Sequence, residues 1–148
     1  MKMKIPTRLI RNIAITATLV GLVATLAAQS AARTGAVSVK SMPPSVVKTV
    51  PPSGDTAVDA ALGAISVTFS KDMKTDRMWS FCQISNETFP QKAGEVHYLS
   101  DKRTCVMPVK LEPGKTYVIW INRGQYNSFR DTANNPAVPY LLVFETKK

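Results

Sequence analysis

Residues 64–70 read Ala-Ile-Ser-Val-Thr-Phe-Ser, so Ile65, Val67 and Phe69 alternate with Ser66, Thr68 and Ser70. Successive side chains of an extended strand point to opposite faces, so this stretch buries one face and wets the other. A helix would scatter the same residues around its circumference. The pattern recurs along the chain. Over residues 104–111, Cys105, Met107, Val109 and Leu111 alternate with Thr104, Val106, Pro108 and Lys110. Residues 117–122 are rich in β-branched and aromatic types, with Tyr117, Ile119 and Ile121 on one face. Residues 46–50 and 140–146 add a first and a last strand, with Leu142 and Phe144 as the inward pair of the last. No segment has sustained helical periodicity. Short strands separated by Pro, Gly, Asn and Asp predict an all-β chain, an antiparallel β-sandwich of about seven strands. Pro108 has no N–H to give a ladder, which predicts an edge position for its strand.

Two segments leave alternatives open. Residues 79–85 form a strand whose inward face is either Trp79 with Phe81 or Cys82 with Ile84. The chain has two cysteines, Cys82 and Cys105. If Cys82 faces inward, the two can bridge the sheets as a disulfide; if Trp79 and Phe81 do, they cannot. Residues 75–78 are expected to form a helical turn, 86–94 a loop, 95–99 a short strand and 123–139 a long polar connection.

The first 32 residues have a different character. Lys2, Lys4, Arg8 and Arg11 make a basic start, residues 13–26 are an uncharged apolar run, and Ser30-Ala31-Ala32 offers a small-residue cleavage site. This is the layout of a secretory signal peptide, here a helix preceding the domain. The alternative is an uncleaved membrane anchor, for which a 14-residue run is short, since a span needs roughly 20 apolar residues. Residues 33–44, ending in Pro43-Pro44, read as a linker, and residues 45–148 as the domain. The formal net charge of +9 rests on 19 basic and 10 acidic residues; without the four leader cations, 15 − 10 leaves +5. The remaining cations are scattered, whereas a nucleic-acid footprint clusters them. No nucleic-acid partner is expected.

The motif Leu111-x-Pro113-Gly114-x-x-Tyr117-x-Ile119-x-Ile121 resembles the turn into strand F of immunoglobulin-like and fibronectin-like sandwiches. That resemblance implies a corner role for Tyr117, its hydroxyl bonding back to upstream backbone. Pro44-x-Val46-Val47-x-x-x-Pro51-Pro52-x-Gly54-x-x-x-Val58, followed by Ile65-x-Val67-x-Phe69-Ser70-x-Asp72-Met73, resembles the opening of the bacterial Ig-like domains of S-layer and other exported proteins. The loop at residues 131–136 and the terminal Phe144-x-Thr146 are similar to that family's last hairpin. Asn134 stands where the family usually has glycine, and asparagine tolerates the left-handed region better than other side chains. The family resemblance implies spacer, adhesive or accessory roles and no single chemistry.

Candidate chemistry is sparse. His97 is the only histidine, and neither Ser100 nor Asp101 beside it belongs to a nucleophile motif. No catalytic residue and no cofactor is assigned. Asp72 with Asp76, or Asp131 with Asn134 and Asn135, fall short of the six to eight oxygens calcium takes, so no metal site is assigned. Asp131 and Asn135 read instead as turn caps. Aromatic side chains remain: Trp79, Trp120 and Tyr126, with Phe129 and Tyr140 flanking loops, are candidates for stacking on sugar or anchoring an interface, but packing in the core or under a loop is the favoured reading, because tryptophan is highly buried on average. The expectation is a non-catalytic exported module, in the periplasm or on the cell surface, that binds, adheres or spaces. Its partner would be an envelope protein or polysaccharide. One alternative is a carbohydrate- or peptide-binding accessory protein using those aromatics; the other is a periplasmic domain tethered to the membrane if the leader is retained.

Overall fold

The computed structural model describes residues 37–148; the leader at 1–32 lies outside the described residues. One compact unit spans Met42–Lys148. Residues 38–41 of the preceding unit close a small turn in which Ser41 N donates to Ser38 O at 3.1 Å. No described helix is long and apolar enough to cross a membrane.

The compact unit is all-β, with eight strands: β1 (Val46–Val50), β2 (Ala64–Phe69), β3 (Phe81–Gln83), β4 (Gln91–Lys92), β5 (His97–Tyr98), β6 (Thr104–Lys110), β7 (Thr116–Ile121) and β8 (Tyr140–Glu145). They form two antiparallel sheets. One runs β1-β2-β6, with β4 and β5 sharing the far side of β6; the other runs β3-β7-β8. The alternating residues of β2, β6, β7 and β8 supply the core between them: Ile65, Val67, Phe69, Cys105, Met107, Tyr117, Ile119, Ile121, Leu142 and Phe144 are all buried. Phe129 joins the layers, its ring 5.0 Å from Phe69 of one sheet and 5.1 Å from Phe81 of the other.

Three local expectations change, and a fourth is sharpened. Pro108 does not mark an edge: β6 is flanked by β2 on one side and by β4 and β5 on the other. Val109 N donates toward β2, to Gly63 O at 2.9 Å. Backbone groups alternate sides along a strand, so the missing Pro108 donor points the other way, into the gap between β4 and β5. There only its carbonyl is used, by Ala93 N at 2.9 Å. Residues 75–78 make a bend with Arg77 at φ 54° and no helical turn. The loop 86–94 contains the two-residue β4, which carries no apolar signal. The polar connection after β7 holds Phe129, which is fully buried, the packed one of the two readings open to the loop aromatics.

The edges of the three-stranded sheet differ. Along β8, residues 54–58 run as a cover: Gly54 N donates to Val143 O, Glu145 N to Asp55 O and Val58 N to Glu145 O, at 2.7, 2.8 and 3.0 Å. The other edge is β3, which pairs only with β7.

Candidate binding cleft

At the β3 edge the sandwich stays open. A cleft of about 820 Å³ enters between the sheets there. Its apolar lining comes from Phe81 of β3, from Phe89 and Val96 in the segments around β4, and from Met107 of β6. Trp79 and the Arg123–Tyr126 turn complete its lining. That turn is closed by reciprocal bonds, Arg123 N to Tyr126 O at 2.8 Å and Tyr126 N to Arg123 O at 3.0 Å. Gly124 sits in it at φ 54°, a conformation that costs glycine no Cβ clash. The turn lifts Tyr126 off the body, leaving it 62% exposed.

The strand that borders the cleft takes the first of the two orientations. Phe81 packs edge-on against Phe129, and Trp79 also packs against the core. Cys82 therefore lies on the outer face of the three-stranded sheet, beside Trp120. Cys105 lies on the inner face of the other sheet. Both are free thiols, so the bridge left open by the sequence is not formed, for the reason of facing. Burial pushes the Cys105 thiol up to about 12. Burial also raises Cys82, with Arg123 pulling it back. The half-buried Cys82 Sγ lies 3.7 Å from Ser80 O and 4.0 Å from Tyr126 O.

The three aromatics singled out from sequence do not share one patch. Trp79 and Tyr126 both line the cleft. Trp120 stands half-buried on the outer face of β7, in a cross-strand row with Cys82 and Leu141. Phe81, Phe89, Lys92 and Arg123 also line the cleft, and the sequence offered none of them as a binding residue. They come from three separate segments, so no single local spacing marks them.

Polar groups elsewhere are taken up internally. Tyr117 is fully buried, stacks on Phe144 at 5.3 Å, and its hydroxyl accepts Glu112 N at 2.8 Å. Asn122, buried at φ 59°, was not singled out from sequence. Its Nδ2 donates to Phe129 O and Ala137 O, and its Oδ1 accepts Phe129 N, all at 3.0 Å. Asp131 accepts Asn135 N at 2.8 Å, Asn135 Nδ2 at 3.1 Å and Lys71 Nζ at 3.2 Å. Burial works to raise its carboxyl, but the bonds from Asn135 and Lys71 outweigh it and hold it below the usual range. Asn134 follows at φ 71° in the same turn. Asp72 is engaged by Arg103 at 2.7 Å. Asp101 accepts Thr104 Oγ1 at 2.6 Å, and that bond lowers its carboxyl. His97 Nδ1 lies 3.1 Å from Glu95 O. These side chains cap turns and tie loops. His97, Ser100 and Asp101 are not hydrogen-bonded to one another as a relay.

The family model for the bacterial Ig-like domain matches residues 40–146. The chain belongs to that family. No curated protein matches it. Among solved structures it is similar to the N-terminal part of the bacterial S-layer protein SbsC, at 20% identity and TM-score 0.47. That match covers 74% of this chain and 24% of the other. It is also similar to domains 1–6 of the surface layer protein SbsC, at 20% identity and TM-score 0.46, covering 74% of this chain and 14% of that one. The chain thus spans a quarter or less of the length of these S-layer proteins.

Proposed function

We propose that this bacterial Ig-like domain is a non-catalytic, exported module of the cell envelope that holds a partner in the cleft at its open β3 edge. The observation that carries the reading is the cleft itself, an apolar opening between the sheets with an exposed tyrosine and two cations around it. Few convergent polar groups in an apolar hollow is the usual make-up of a binding site. The leader pattern supports export. The internal engagement of His97, Asp101, Asp72 and Asp131 supports a role without catalysis. The partner is an envelope protein or polysaccharide.

The test is site-directed photocrosslinking in an envelope extract, with a photoreactive residue at Gln125 in the cleft or at Lys48 on the opposite sheet. Adducts are expected from position 125 and not from 48, and Tyr126→Ala combined with Arg123→Ala should abolish them while circular dichroism is unchanged. Equal adducts from both positions, or adducts that survive the double substitution, would remove the cleft from the account. N-terminal sequencing decides the tethered alternative: an intact Met1 on exported material would show that the leader is kept as an anchor.

A further inference from the structure

We infer that the cleft takes its partner as an added β-strand: an extended acidic and apolar peptide segment pairing with the free edge of β3. This rests on the binding role proposed above and names the chemistry of the occupant. The bond from Asn122 N to Ser80 O, 3.0 Å, sets the phase of the β3–β7 ladder. Residues 80 and 82 then face β7, and Phe81 and Gln83 turn their backbone N–H and C=O outward. No strand among the described residues meets them, whereas residues 54–58 cover the opposite edge of the same sheet. Unpaired edge groups are a template for another chain.

The cleft follows that edge. Phe81, Cys82 and Gln83 all line it, so it reaches both faces of the strand. A peptide laid there would send alternate side chains inward, against Phe81, Phe89 and Met107, and outward, toward Arg123. Charge selects the composition. Lys92 and Arg123 line the cleft, no carboxylate does, and neither cation forms an ion pair among the described residues. The acidic residues Asp76 and Glu95 line a separate hollow that shares only Trp79 and Val96 with the cleft, so the acidic side chains of a ligand belong with Lys92 and Arg123. The same cations disfavour a second copy of this chain, which would bring like charges to the same edge. A sugar is the weaker fit, because Trp79 and Phe89 are packed against the core and only Tyr126 offers a free ring face.

The experiment uses the purified full chain and capped octapeptides alternating valine with glutamate. Isothermal titration measures binding. Iodoacetamide alkylation of Cys82, read by mass spectrometry, reports occupancy locally, because Cys105 is fully buried. The glutamate peptide should bind and slow Cys82 alkylation, and its lysine counterpart should bind about tenfold more weakly at low salt. Two further analogues carry backbone N-methyl groups on every valine or on every glutamate. Strand addition predicts that one of them loses about tenfold, for two lost hydrogen bonds, while the other binds as the parent does. If both N-methyl peptides bind equally well or equally poorly, the edge is not being paired and the inference falls. It falls equally if the glutamate peptide does not bind, if the free chain dimerises with Cys82 already protected, or if a hexamer of galacturonate protects Cys82 where the peptides do not. A galacturonate result would leave the cleft's binding role standing. Failure of the position-125 crosslinks would remove that role as well.

Discussion

The long connection between β7 and β8 divides into two halves of opposite character. From Phe129 to Ala137 every buried polar group is matched within the fold: Asn122 spans the backbone of Phe129 and Ala137, and Asp131 gathers Asn135 and Lys71. From Arg123 to Tyr126 the backbone closes one small turn, and the side chains of Arg123, Gln125 and Tyr126 are left at the mouth of a cleft. A group saturated by internal partners has little left to offer a ligand, and a buried unpaired one costs free energy. The first half therefore fixes the fold and the second half presents it. Substitutions in the first half should act on stability, and those in the second on binding.

Phe129→Ala tests the difference most severely. Its ring is fully buried and joins Phe69 to Phe81. Removing a core phenylalanine costs roughly 3–5 kcal/mol. Urea unfolding should show a loss of that size. A change below about 1 kcal/mol would mean that the sheets do not depend on this loop residue.

Asn122 comes next. Asn122→Ala strips partners from three backbone groups and also places alanine at φ 59°. We expect a loss of about 3 kcal/mol, from buried groups left unpaired. Asn122→Gly removes the same bonds without the left-handed strain, and should be milder by about 1 kcal/mol. If the two variants unfold at the same urea concentration, the left-handed backbone contributes nothing to the choice of asparagine.

Asp131→Asn adds a dependence on pH. The Asp131 carboxyl is held below its unfolded value, so its stabilising contribution is present above the unfolded pKa of about 3.9 and lost as pH falls through the folded one. At pH 7 the variant should be less stable by about 1–2 kcal/mol, the scale of one charged hydrogen-bond partner. The gap to the parent should narrow below about pH 4. A gap that stays constant down to pH 2 would assign the loss to geometry and not to the charge shared with Lys71.

The same contrast explains what could be read from the chain before its structure. The strand β2 is legible because one face is dry and the other wet, giving a strict period of two. In β7 the outer residues Val118 and Trp120 are apolar as well, so composition names a strand but not its exposed face. The Asp131 turn is legible since its bonds run between residues four apart. Phe129 is not, because it stands between Ser128 and Arg130 and its partners, Phe69 and Phe81, are distant in sequence. As a lone aromatic in a polar connection it stands out in the sequence, but nothing local says what it packs against. Pro108 misleads in the same way: its missing donor matters only relative to a gap between β4 and β5 that assembly creates. The cleft is hardest of all. Trp79 and Tyr126 could be suspected as aromatics near loops, but their joint use with Phe89 and Lys92 follows from where the sheets fail to close.

The smallest expected effect on stability is also the sharpest test of the presenting half. Tyr126 is largely exposed, and its hydroxyl makes no hydrogen bond among the described residues. Tyr126→Ala should leave the unfolding free energy within about 0.5 kcal/mol of the parent, as for a surface site without structural partners. The turn itself should persist, because it is held by backbone bonds and by Gly124, not by the ring. A loss of 2 kcal/mol or more in urea unfolding would show that the ring supports the connection, and the division between a half that fixes and a half that presents would collapse. An unchanged stability together with weaker capture of the partner would place the role of this tyrosine entirely on the outside of the molecule.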